Sequence, residues 1–301
     1  MPSTAVTVRV PATSANLGAG FDCLGLALDL FASITVKFGD TEQEPTNDVG
    51  EKMVLTAIRA TYSRLDRTPP AGISASYGVS IPLGRGMGAS AVARVAGALA
   101  ANEFEGRPLS REECMAVAAD LEGHGDNACP AMFGGVQVCV TDNGRYLHVP
   151  ARFPADATIA ILIPDHSMAT KDARKVVPDS FSKEDAVHNV GRAALFVAAL
   201  SAGRFDLLDA ATDDRFHQRQ RASLFPPLFD IFGVARAAGA HAAWLSGAGS
   251  CVAAFCSEES GRPVAAAMLQ KLQESGMAGR TLVTRISRTG AEVARVELVE
   301  D

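Results

Sequence analysis

The chain has 301 residues, with 28 Lys and Arg against 34 Asp and Glu for a formal charge of −6, and 48% of its residues are hydrophobic. This describes a soluble globular protein of one large or two ordinary domains, and the absence of any Lys/Arg run removes nucleic acid and anionic membrane surfaces from the expected partners. The longest apolar stretches, 157–164 and 193–200, fall far short of the roughly 20 residues that cross a bilayer. The start, MPSTAVTVRVPATSAN, shows no basic stretch leading into an apolar one, so the expected location is cytoplasmic. Six cysteines in apolar contexts such as GGVQVCV read as buried free thiols, and without a C-x-x-C pair or an H-E-x-x-H helix no zinc site is expected.

In chain order, residues 5–10 alternate as a strand and 34–38 as a second one, across a polar, glycine-rich stretch. Val54, Leu55, Ile58 and Tyr62 recur at helical spacing within 51–65, and 73–79 returns to alternation. Residues 90–104, alanine-rich and free of proline, form a helix, and Ser110 with Glu113 is a capping box that starts another. Segments 136–140 and 145–149 make a hairpin through Asp142-Asn143-Gly144. Pro150 and Pro154 mark 151–156 as a linker, dividing the chain into domains 1–152 and 153–301. A buried strand at 158–164 follows, then helices at 186–201 and 227–238, strands at 242–246 and 251–256, an amphipathic helix at 263–275, and strands at 282–287 and 294–298. The mixed order argues for an α+β fold in two domains, since a doubly wound sheet needs regular βαβ alternation.

Three segments hold the chemistry. IPLGRGMGASA (81–91) alternates Gly84, Gly86 and Gly88 just before a helix, so backbone N–H groups and the helix N-terminus together form an anion cradle. It has no Walker lysine, and its plain alternative is a flexible strand-to-helix connection. LEGHGDNACPAMFGG (121–135) gathers Glu122, Asp126 and Asn127 in one turn region, which a helix end closed by Gly123 would also explain. LSGAGSC (245–251) is a second glycine turn, readable as a simple hairpin.

Taken together, PATSANLGAGFDCLGLALDL (11–30), PLGRGMGASA (82–91), EGHGDN (122–127) and LSGAGS (245–250) resemble the successive motifs of the GHMP small-molecule kinases, and the first resembles the homoserine kinases in particular. The resemblance covers nearly the whole chain. It implies an N-terminal domain like ribosomal protein S5 domain 2, a ferredoxin-like C-terminal domain, and ATP with Mg²⁺ and L-homoserine bound between them by an enzyme that is often a homodimer. Carried over, it implies a nucleotide loop of Pro82, Leu83, Gly84, Arg85, Gly86, Met87, Gly88, Ala89 and Ser90, with Lys52 near the adenine or ribose. It makes Ser90 and Glu122 catalytic Mg²⁺ ligands, adds Asp126 beside the reacting hydroxyl, and sets Asn16, Asp22, Asn127, Thr170, Arg174 and Arg221 around the substrate. Four positions depart from the family pattern: Ala89 for a serine, Gly125 for a proline, Ser250-Cys251 for Pro-Ser, and Lys52 for an asparagine.

Chemistry supports the same assignment. Homoserine is a zwitterion with a distal hydroxyl, so its site needs a carboxylate for the ammonium and guanidinium groups for the carboxylate, which Asp22 and the Arg174/Arg221 pair supply. A plain N-cap also accounts for Ser90, a turn for Asp22, and solvated charge for either arginine. His124 and His217 are left without a role. The alternatives are a GHMP kinase for another hydroxy acid or amino alcohol, and a family member that binds without turnover.

Overall fold

The computed structural model describes residues 3–41, 46–78, 81–155 and 157–299. Val79, the expected end of the strand at 73–79, and Asp156, the expected end of the linker, lie outside them. The first half contains β1 (Ser3–Ala15), β2 (Leu24–Gly39), α1 (Val49–Arg64), β3 (Gly72–Gly78), α2 (Ala89–Phe104), α3 (Arg111–Glu122), α4 (Ala128–Phe133), β4 (Val136–Asp142) and β5 (Arg145–Ala151). The second contains β6 (Thr158–Pro164), α5 (Thr170–Lys175), α6 (Lys183–Ala202), a 3₁₀ turn (Phe205–Leu207), α7 (Leu208–Thr212), α8 (Gln218–Arg221), α9 (Leu228–Ala237), β7 (Ala242–Leu245), β8 (Val252–Cys256), α10 (Gly261–Glu274), β9 (Gly279–Arg285) and β10 (Glu292–Val299).

Local chemistry accounts for the element ends. Asp48 caps α1 by accepting from the Glu51 amide at 2.9 Å, and Ser110 and Glu113 form the expected reciprocal box at α3. Asn143 and Gly144 take φ values of 49° and 75° at the β4–β5 turn, the left-handed pair that a two-residue hairpin requires. The stretch expected to separate the first two strands is shorter than its composition implies. β1 runs on to Ala15 because its buried small polar side chains find partners, Thr13 donating to Asn127 Oδ1 at 2.7 Å and Ser14 accepting from Trp244 Nε1 at 3.0 Å.

Two sheets result. The first runs β10-β1-β2-β4-β5, with β3 also on β2, and the second runs β7-β8-β6-β9 with every pair antiparallel. Numbered within the second half, that order is 2-3-1-4, the βαββαβ arrangement of a ferredoxin-like domain. One strand crosses between the two halves of the chain. β10 follows the second sheet in sequence yet pairs with β1, from Ser3↔Val299 to Arg9↔Glu292, closing an edge of the first sheet that would otherwise stand open.

The nearly all-buried α2 packs on α1 so closely that a β-carbon at Gly97 would stand 2.4 Å from the Val54 carbonyl oxygen. Alanine's helix propensity favours Gly97→Ala by about 1 kcal/mol, whereas forcing main chain apart costs about 1–3 kcal/mol. Urea unfolding should therefore show Gly97→Ala to be net destabilised.

Candidate functional site

The glycine loop is shaped by its neighbours. A β-carbon at Gly86 would lie 2.0 Å from the Ser246 carbonyl oxygen, and one at Gly88 would lie 1.8 Å from Thr13 Oγ1 and 2.9 Å from Asn127 Oδ1. Both glycines have positive φ, 80° and 68°. Only glycine fits such an approach at low cost. Backbone bonds then tie the loop to both sheets, Thr13 N to Met87 O at 3.1 Å and Cys251 N to Arg85 O at 2.9 Å. Gly88, not Ser90, is the N-cap of α2, and no side chain caps this end. The first amides of a 16-residue helix are thus left for a ligand, with Ser90 in its opening turn.

Opposite the loop lies the segment between β1 and β2. Asn16, Leu17 and Asp22 have φ of 69°, 46° and 57°, strained values for non-glycine residues. Asn16 holds the bend, donating from Nδ2 to the Gly247 carbonyl at 2.9 Å and accepting from the Asp22 amide at 3.0 Å. Asp22 makes a forked pair with Arg174, at 3.1 and 2.8 Å. Arg221, only 2% exposed, donates from Nε to Ala173 O at 3.1 Å and from Nη1 to Gly247 O at 2.9 Å, with His217 Nδ1 3.1 Å away. His217 Nε2 lies 2.9 Å from the Gly18 carbonyl. A carbonyl only accepts, so Nε2 has the proton and Nδ1 receives from Arg221. Burial, reinforced by Arg221, holds the His217 pKa down and keeps the ring neutral. Burial first, then Arg174, lowers the Arg221 pKa to about 10, so it stays charged at pH 7. Phe21 faces both guanidiniums, its ring centre 5.4 Å from Arg221 Cζ and 5.8 Å from Arg174 Cζ.

At the end of α3, the buried Asp126 contacts His124 Nδ1, and Asn127 Nδ2 lies 3.3 Å from the same carboxylate. Burial opposes the charged form of His124, but the hydrogen bond and charge of Asp126 outweigh it, and the pKa is raised. Asp22, His124 and Asp126 present their ligand atoms within 4.8 Å of one another. Glu122, the last residue of α3, contacts Arg94 on α2, with the two side chains 9% and 19% exposed.

One cleft of about 440 Å³ joins these groups, with Val49, Met53 and Leu83 on its apolar side. Of the residues expected from sequence, Asn16, Asp22, Leu83, Gly84, Gly86, Met87, Gly88, Ala89, Ser90, Glu122, Asp126, Asn127, Thr170, Arg174 and Arg221 line it. Pro82, Arg85 and Lys52 do not line it: Arg85 turns to the Pro164 carbonyl, and Lys52 is exposed on α1. Sequence reasoning left His124 unassigned and missed Phe21, Thr13 and the pair Val49 and Met53. The last was signalled by two apolar residues four apart at the exposed start of a helix.

Comparison with known proteins places the chain among relatives. The GHMP kinases N terminal domain matches residues 52–135 and the GHMP kinases C terminal domain matches 196–274. The homoserine kinase of Caldanaerobacter subterraneus subsp. tengcongensis is 36% identical over 300 residues, covering 96% of each chain. That of Deinococcus radiodurans is 39% identical over 306 residues, covering 97% of this chain and 98% of its own. The crystal structure of homoserine kinase from Cytophaga hutchinsonii superposes with a TM-score of 0.86 at 26% identity over 96% of each chain. Lactococcus lactis galactokinase shares the fold, with a TM-score of 0.73 at 14% identity over 96% of this chain and 95% of its own.

Glycines of the loop should differ in their tolerance. Gly88→Ala should weaken ATP binding more than tenfold, whereas Gly84→Ala, with positive φ but nothing within 4 Å of its β-carbon, should cost only about 1–2 kcal/mol of backbone strain. Calorimetric titration with ATP, alongside thermal melts of both variants, checks the contrast.

Proposed function

The chain belongs to the homoserine kinases of the GHMP kinase family, and we propose the following reading of how its cleft transfers the γ-phosphoryl group of ATP to the side-chain hydroxyl of L-homoserine. The product is O-phospho-L-homoserine, on the route to threonine. The observation that carries the reading is the single cleft in which a zwitterion-matching set, Asp22, Arg174 and Arg221, faces an anion cradle at the start of α2.

The triphosphate lies against the free amides of α2 and the loop from Gly84 to Ser90, while adenine packs on Val49, Met53 and Leu83. Lys52 serves only as an outer charge for the ribose or phosphates. Homoserine takes the other end by exchanging ion pairs: its ammonium replaces one partner of the Asp22–Arg174 fork, and its carboxylate takes Arg174 and the Nη2 side of Arg221, whose other nitrogens are anchored to main chain and His217. Thr170, exposed at the first position of α5, and Asn127 close the walls. Asp126 is committed to His124 and Asn127, which makes it an orienting group for the hydroxyl rather than a free base. Phosphoryl transfer through a loose transition state asks for positioning and charge neutralisation more than prior deprotonation.

Mg²⁺ fits the oxygens present. Ser90 offers a hydroxyl and Glu122 a largely buried carboxylate whose Oε1 makes an ion pair with Arg94 but no satisfied hydrogen bond, a hard donor pair suited to this ion. When bound, the ion neutralises charge on the β- and γ-phosphates. Six free cysteines, five of them buried, suit the cytoplasm. Among the described residues, no helix is long and apolar enough to cross a membrane. The homodimer is part of the same proposal and is read by light scattering.

Coupled ADP release across homoserine, threonine, mevalonate, pantoate and galactose tests the reaction, with homoserine expected to be strongly preferred. Glu122→Gln should lower turnover by orders of magnitude with an unchanged melting curve, and near-full activity at saturating Mg²⁺ would remove Glu122 from the metal. Arg221→Lys should weaken homoserine about ten- to a hundredfold, or 1.4 to 2.8 kcal/mol, with ATP affinity little changed. Arg221→Met should be worse, because the carboxylate is then desolvated beside a thioether. An amino alcohol without the carboxylate should lose little more in either variant; equal losses for both substrates would mean that Arg221 supports the fold or the phosphates instead.

A further inference from the structure

We infer that Arg94 is a resident counter-cation for Glu122 that sets how strongly the phosphate end of the cleft takes a divalent cation. The inference rests on the reading of Glu122 and Ser90 as that cation's protein ligands. Arg94 stands four residues beyond Ser90 on α2 and therefore on the same helix face. Its Nη1 meets Glu122 Oε1 at the C-terminal end of α3, and the two side chains are largely buried together.

The contact is ionic without being a satisfied hydrogen bond. Both Arg94 Nε and Glu122 Oε1 are buried without a hydrogen-bond partner. In most buried ion pairs the remaining donors and acceptors are met, because leaving them unmet is costly. Here the carboxylate is neutralised but not locked by a satisfied hydrogen bond, and Glu122 lines the cleft while Arg94 does not.

Two consequences follow from this placement. A bare triphosphate approaching the loop meets a Glu122 whose charge is already cancelled, which matters because the loop has no Walker lysine to offset a carboxylate. A divalent cation approaching the same carboxylate meets a fixed positive charge that it must share with or displace, so Arg94 holds cation affinity below what Glu122 and Ser90 alone would give. Arg94 is a positioning residue in this account, acting on the ligands through Glu122.

The test is calorimetric titration of the full chain with the non-hydrolysable analogue AMP-PNP, with Mg²⁺ and with EDTA. The ratio of the two affinities is the gain due to the cation. Arg94→Gln should weaken metal-free AMP-PNP about tenfold and raise the gain about tenfold, while Arg94→Lys, which keeps the charge, should stay near wild type. Glu122→Gln should nearly abolish the gain, and adding Arg94→Gln to it should change nothing further. Arg94→Met keeps the stem packing and serves the same comparison should Arg94→Gln fail to fold. An unchanged or smaller gain in the folded Arg94 variant, with the gain lost in Glu122→Gln, overturns the role of Arg94. A wild-type gain in Glu122→Gln overturns the metal reading of Glu122 itself, and the inference with it.

Discussion

Between the end of β1, the loop before α2 and the turn after β7, the glycine backbone of the loop packs directly on the main chain of the turn and on the side chain of Thr13. The Gly86 α-carbon faces the Ser246 carbonyl and the Gly88 α-carbon faces Thr13, at separations where a β-carbon would overlap. Ser246 Oγ adds contacts of 2.6 Å to the Gly86 carbonyl and 2.7 Å to Ser14 Oγ, and the Gly247 amide donates to Ala15 O at 3.1 Å. Each of the three segments is thereby held by the other two. The start of α2 is bonded to segments next to both sheets, and the cleft lies between segments that touch at its base. Phosphoryl transfer draws much of its rate from alignment, which close packing of this kind favours.

The bend after β1 depends on that contact. Three non-glycine residues in left-handed conformations cost on the order of 1–3 kcal/mol each and persist only where the surroundings over-determine them. Here the determinants are the Asn16 amide bonded to Leu24 O at 2.7 Å and its side chain bonded to Gly247 O. Arg221 donates to the same Gly247 carbonyl. One main-chain oxygen in the C-terminal turn thus sets both the bend that presents Asp22 and the arginine that faces it, so the strain is balanced by bonds that also fix these two side chains in the cleft.

The motifs that are short and local were legible. The capping box at Ser110, the Asn143-Gly144 hairpin and the glycine loop each encode their geometry within a few residues, and the carried-over site residues converge because those motifs meet at one cleft. What was hidden depends on distant pairing. Nothing in 294–298 says that the strand returns to β1, because an alternating strand carries no address for its partner. Ser14 and Thr13 read as loop because their partners, Trp244 and Asn127, lie more than a hundred residues away. Lys52 and Arg85 show the opposite limit: position in a motif does not say which way a side chain turns. His217 went unassigned for the same reason, since its use lies in what holds Arg221.

That last point bears on how a buried cation survives in the cleft. Arg221 sits beside Arg174, both near the same Phe21 ring, so burial and like charge act in one direction on its proton. A pKa of about 10 still leaves the neutral form at roughly one part in a thousand at pH 7. A protonated His217 at 3.1 Å would add a third positive charge and remove an acceptor. Asp214, its carboxylate 3.7 Å from Nε2, favours protonation, but burial outweighs it, and that carboxylate already accepts from the amides of Phe216, His217 and Gln218 and from Asn189 Nδ2. The Gly18 carbonyl instead fixes the proton on Nε2 and turns the Nδ1 lone pair to the guanidinium. Neutral acceptors therefore make the direct bonds to Arg221, while Asp214, Asp22 and Asp126 act on its charge without a direct ion pair. A group held in this way is suited to a substrate carboxylate, since no protein anion has to be displaced from Arg221 before binding.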